Sequence, residues 1–273
     1  MRYIIAILIL LSPILAMTQT WSCYGQDAGG KRYASTQQIN DRNVDRLAVA
    51  WTYRTGELAT YKGTYALEKA CFETTPVLVG RTLYFSTPSD RVIAVDAGTG
   101  AQHWVYDPGV NLHADYSEIS SRGVAVWPAD QTAAKTAAKA GATTNPPAAD
   151  SLRIFIGTVD GRLIALDAHT GKPVPAFGAQ GSVDLRAGLG PEIQETSPPA
   201  VIGDLVIVGS SIGDNQRFDL PPGVVRAYNV HTGQQIWTWN PIPQDPADSA
   251  YATWNGPKAH RTGAANAWSI LST

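Results

Sequence analysis

The chain is poor in the residues that cross-link small folds. Two cysteines among 273 residues, Cys23 and Cys71, exclude a disulfide-dense scaffold, and no Cys and His spacing matches a zinc site or the CxxCH of haem attachment. Whether these two cysteines bond to each other is left open by the sequence. Charged residues make up only 16% of the chain, with a net charge of −2 and no long basic run, which excludes the electrostatic footprint of a nucleic-acid or anionic-membrane binder. Long apolar runs are missing as well. The stretch Tyr3 to Ala16 is too short to span a bilayer and is broken by Ser12 and Pro13. With Arg2 before it and Thr-Gln-Thr after it, residues 1–20 read as an export signal peptide, against the competing readings of a buried helix or an uncleaved anchor. The expected location is periplasmic or extracellular, with membrane association as the second case. Trp21, two residues before Cys23, is too large for a lipid-attachment site, so a soluble domain is expected. Sustained helical periodicity is also lacking outside the Ala-rich stretch 131–142.

What is present is repetition. "AVDAGTGAQHW" (94–104) returns as "ALDAHTG" (165–171) and "AYNVHTGQQIW" (227–237), each after short β-rich runs such as "TLYFST", "RIFIGT" and "LVIVGSS". The copies are 71 residues apart (Gly100 to Gly171) and then 62 (Gly171 to Gly233), a spacing that suits four-stranded propeller blades. The repeated words have a mechanical sense. Asp96 and Asp167 can accept hydrogen bonds from the turn that follows, Gly supplies positive φ, and Trp104 and Trp237 can pack between neighbouring blades. The second copy has Pro175 where the Trp should stand, and Asn229 replaces the Asp in the third. The expected fold is all-β. Blades are predicted at about 75–107, 123–178 and 198–240, with "VAWTYRTG" as the outer strand of another blade and "AWSILST" opening a fourth.

The pattern A-x-D-x-x-T-G-x-x-x-W resembles the tryptophan-docking motif of quinoprotein dehydrogenases, eight-bladed propellers that bind pyrroloquinoline quinone (PQQ). The strings "FETTPVLVG", "SRGVAVW", "TSPPAVIGDLVIVGSSIGDN" and "RTGAANAW" are similar to the branch that includes membrane-bound glucose dehydrogenases. The resemblance implies a partial propeller over 21–273, about three and a half blades, and the Ala/Thr/Pro composition of 128–150 reads as a low-complexity loop insertion within it. Such a chain would be the N-terminal part of a longer protein and inactive alone; a monodisperse, cooperatively melting monomer would refute that expectation.

In a blade whose four strands alternate in direction, first-strand starts and second-strand ends share one face of the disc. Glu73, Thr74, Arg122, Thr196, Ser197, Ser211, Asp214 and Asn215 are all expected there. The resemblance implies that Glu73, Arg122, Thr196 and Ser211 contact the cofactor. It assigns Asp214, with Asn215 as a weaker candidate, to a metal, Ca²⁺ or Mg²⁺. It implies oxidation of a sugar, alcohol or polyol hydroxyl by hydride transfer to the quinone, with a membrane quinone or a cytochrome as electron acceptor. The base and its Lys partner normally come from later blades, so no catalytic residue is assigned within this chain. His113, Asp115, Tyr116, Glu118, His260 and Arg261 are expected on loops of the same face, lining a substrate entrance or simply solvated. The competing readings are a non-catalytic propeller scaffold and a truncated, inactive gene product.

Overall fold

The computed structural model describes residues 20–128, 152–213, 218–256, 258–261, 263 and 265–273. All but the last residue of the expected signal peptide, nearly all of the expected insertion, and both metal candidates Asp214 and Asn215 lie outside the described residues.

Among the described residues, the repeat builds three four-stranded antiparallel sheets, the blades of a propeller. The first is β2 (Val77–Val79), β3 (Thr82–Ser86), β4 (Val92–Asp96) and β5 (Gln102–Tyr106), in that order. The second is β7 (Ala125–Trp127), β8 (Arg153–Gly157), β9 (Arg162–Asp167) and β10 (Ser182–Asp184). The third is β11 (Ala200–Ile202), β12 (Leu205–Val208), β13 (Val225–Asn229) and β14 (Gln235–Trp239). A short parallel pair, β1 (Ala70–Cys71) with β6 (Ile119–Ser120), ties the loops together above the first two blades. Two single-turn helices, Glu57–Thr60 and Ala66–Lys69, are additions that the sequence pattern does not announce.

The turn after each third strand is the same device. Oδ1 of Asp96 accepts the N–H of Gly98 at 3.0 Å and of Thr99 at 2.9 Å; Oδ1 of Asp167 accepts His169 N–H at 3.1 Å and Thr170 N–H at 2.8 Å. Asn229 Oδ1 does the same for His231 and Thr232, both at 3.0 Å, which is why the change from Asp is tolerated: the turn needs an acceptor, not a charge. The closing glycines have φ of 73°, 69° and 72°, the left-handed region that a side chain resists.

Seams between blades are built on those glycines. Trp51 lies over Gly100 and donates Nε1–H to Ala97 O at 3.1 Å; Trp104 lies over Gly171 and donates to Ala168 O at 2.9 Å. The third seam departs from this. Pro173 and Pro175 lack the N–H that an outer strand needs, so the predicted blade end at 178 is corrected. The chain makes a wider loop, and β10 forms only at Ser182–Asp184. Phe177 is fully buried in the adjoining core, Gly178 N–H bonds Thr232 O at 2.9 Å, and Gly178 backbone lies against Gly233. The carbonyl equivalent to Ala97 O and Ala168 O, Val230 O, takes the buried Arg153 guanidinium at 2.6 Å in place of an indole. Two further expectations are corrected. Residues 49–56 are docked through Trp51 but form no strand, and neither does 267–273, although Thr273 Oγ1 bonds Val201 O at 3.0 Å. Cys23 and Cys71 are free, exposed thiols.

Candidate functional site

First strands of successive blades enter side by side, and their entry residues are joined. Thr75 N–H donates to Arg122 O at 3.0 Å, and Arg122 N–H donates to Thr196 O at 2.9 Å. This ladder places three loops from three blades within one hydrogen-bonded stack. Gly123 permits it: a Cβ there would meet Thr75 O at 3.0 Å with φ at 141°.

Arg122 is the hub. Nη1 donates to Thr196 Oγ1 at 2.6 Å, and Nη2 lies 2.8 Å from Glu118 Oε1 and 2.9 Å from Glu73 Oε2. The guanidinium sits over the ring of Trp268 at 5.2 Å, and Trp268 O in turn accepts Ser197 Oγ–H at 2.6 Å. Glu73, Arg122 and Thr196 are therefore brought together as the strand-direction argument expects. Ser211 joins through backbone: its N–H bonds Gln194 O at 2.7 Å, and Gln194 N–H bonds Ser211 O at 2.9 Å, two residues before Thr196. Thr74 Oγ1 faces Ser86 Oγ at 3.1 Å, and Ser121 Oγ donates to that same Ser86 oxygen at 2.8 Å.

The entrance loops divide. Glu118 belongs to the Arg122 cluster. Asp115 is engaged with Lys69, which also donates to Tyr116 O at 2.7 Å, so this pair fastens the loop down. His113 N–H caps onto Asn111, and the His260 ring stacks on Tyr251 at 3.6 Å and bonds Pro243 O; neither is brought to Arg122. Arg261 closes a short 3-10 turn, Ala259–Arg261.

Two buried carboxylates beside the cluster escape the sequence reading. Glu195 is buried, and that burial pushes its carboxyl up to about 7. Asp90 is buried with Oδ2 accepting Val159 N–H at 2.8 Å, and burial likewise drives it well above the usual carboxylate range. A cleft of about 800 Å³ runs beside β7, β11 and residues 22–30, but its lining includes none of Glu73, Arg122, Thr196 or Ser211.

Residues 21–273 match the family described as PQQ: glucose/ethanol/alcohol dehydrogenase, β-propeller domain. The chain belongs to this PQQ propeller family. A PQQ-family relative, the quinate/shikimate dehydrogenase (quinone) of Acinetobacter baylyi, is 38% identical over 264 residues, covering 92% of this chain and 31% of that protein. The quinoprotein glucose dehydrogenase of Escherichia coli is 32% identical over 257 residues, covering 91% and 31%. Among solved PQQ-family structures, the quinohemoprotein alcohol dehydrogenase of Comamonas testosteroni superposes with a TM-score of 0.63 at 29% identity, covering 83% of this chain and 28% of that one. The chain thus spans less than a third of the length of these relatives.

The donor set fits an oxygen-rich anionic cofactor. One guanidinium and several hydroxyls converge on a shared face, and two carboxylates, Glu73 and Glu118, bind that guanidinium, an excess of negative charge that an additional hard cation beside an anionic guest would offset.

Proposed function

We propose that this chain supplies one arc of the cofactor site of a periplasmic PQQ-dependent dehydrogenase that oxidises a hydroxyl of a sugar, alcohol or polyol. Glu73, Arg122, Thr196 and Ser211 are the residues that hold the cofactor, with Asp214 and Asn215 as ligands of an accompanying Ca²⁺ or Mg²⁺. The observation that carries this reading is Arg122, fixed by Glu73, Glu118 and Thr196 at the junction of three blades. When bound, PQQ would supply the two-electron oxidant: of the two hydrogens an alcohol loses on becoming a carbonyl, one would leave with the electron pair as hydride to the quinone and the other as a proton, and the electrons would then pass to a membrane quinone or a cytochrome.

The chain's own residues bind and polarise. Two carboxylates hold the guanidinium from the side, so its donors are oriented before any guest arrives and need no rearrangement to meet developing negative charge. Thr196 Oγ1 accepts from Arg122, which leaves its own O–H free to donate to a cofactor oxygen. No residue of this chain is assigned the substrate proton. The names of relatives acting on quinate, glucose and alcohols support a hydroxyl compound as substrate and leave its ring open to choice.

The test uses the whole protein loaded with PQQ and Ca²⁺. Dye reduction is expected with at least one sugar, alcohol or cyclic polyol, and Arg122→Ala should lower kcat/KM by about 100-fold or more. Absence of quinone absorbance on the protein together with no dye reduction would overturn the reading in favour of a scaffold.

A further inference from the structure

We propose that Glu195 is a positioning residue, whose buried carboxylate anchors the Thr196–Ser197 segment and reaches Arg226 through internal water shared between the second and third blades. The purpose of the anchored segment rests on the cofactor reading above; the anchor itself does not.

Four observations carry it. Glu195 Oε1 accepts two successive backbone N–H groups, of Thr196 at 3.1 Å and of Ser197 at 2.9 Å, while Glu195 N–H bonds Thr158 O at 3.1 Å. Thr196 then gives its carbonyl and its hydroxyl to Arg122, so the carboxylate stands one step behind the hub. The path of the side chain is reserved by Gly157 at the end of β8, where a Cβ would overlap Glu195 Cγ. Finally, Oε2 is buried without a protein partner, and so are Nε and Nη2 of the buried Arg226 on β13.

Buried polar atoms are rarely left unpaired, and a carboxylate oxygen costs most of all. Glu195 and Arg226 each feel the other's charge, yet no direct ion pair joins them. Oε2 of Glu195 with Nε and Nη2 of Arg226 makes three buried polar atoms, within the two-to-four partners that an internal water requires. The bridge thereby fastens a loop of the second blade's exit to a strand of the third.

The experiment measures hydrogen exchange in the purified chain without quinone. Glu195→Ala removes the acceptor for both amides, so protection at Thr196 and Ser197 should fall about 10-fold or more. Unchanged protection in a folded Glu195→Ala would overturn the anchor. Should that variant not fold, Glu195→Gln decides: its carbonyl still accepts both N–H groups, so their protection should stay within about 3-fold, while its NH₂ turned toward Arg226 should speed exchange of the Arg226 Nε–H about 10-fold. An unaltered Arg226 Nε–H rate would sink the bridge. In the whole protein, Glu195→Ala should raise the Kd for PQQ about 10-fold with kcat of the loaded form within about 3-fold, the split of a positioning role. If exchange behaves as stated and the wild type takes up no quinone, the anchor stands and the cofactor reading fails.

Discussion

Glu195 and Asp90 hold protons where ordinary carboxylates have lost them. An exposed Glu releases its proton near pH 4, whereas burial makes Glu195 keep it up to about 7, against the opposing pull of the Ser197 and Thr196 N–H groups and of Arg226 and Arg122. Between those values the folded state binds more protons than the unfolded one, so stability falls as pH rises through the window. Asp90, facing Asp160, Arg162 and Ser121, pushes in the same direction. The urea midpoint should therefore drop between pH 5 and pH 7.5, and Glu195→Gln should remove on the order of 2 kcal/mol of that drop; an identical pH dependence in the variant would count against a buried, proton-holding Glu195. At this scale the sequence was only partly readable. Arg122, Glu73 and Thr196 could be placed together because alternating strand directions dictate their face. Glu195 could not, since a Glu before "TSPP" looks like any loop carboxylate until Gly157, 38 residues earlier, is seen to make room for it.

At the scale of the element, the turn carries the fold. Gly171 has φ of 69° and a Cβ there would come 2.5 Å from Trp104 Cε3, so Gly171→Val meets both backbone strain and the docked indole. A loss of about 2–4 kcal/mol is expected by urea unfolding. Gly203→Val should cost much less: it also has positive φ, but open space around it. Equal losses would refute the docking account. These turns were legible because the sequence repeats them, and repetition is visible without coordinates. The second blade's outer strand was misplaced for a physical reason: two prolines delay pairing until Ser182, and Arg153 takes up a carbonyl that elsewhere receives a tryptophan, a substitution no motif announces.

Over the whole molecule, apolar surface is unevenly covered. Clusters between the first and second blades and between the second and third are closed, whereas β14 exposes Ile236 at 51%, Trp237 at 38% and Trp239 at 58%. An outer strand with that much exposed apolar surface promotes association. Ile236→Lys with Trp239→Lys should reduce light scattering of the purified chain at high concentration while leaving the melting temperature within about 2 °C, because neither side chain packs in the core. Unchanged scattering would show that association, if any, proceeds elsewhere.

The seams also differ from one another: an indole over glycine at Gly100 and Gly171, but Gly178 backbone and the Val183 side chain, with an arginine nearby, at Gly233. Near-identical modules joined by interchangeable fittings would be prone to assembling out of order or with a neighbouring molecule's module. Giving one joint a different fitting labels its two sides, so the chain carries within its own interfaces a record of which blade follows which.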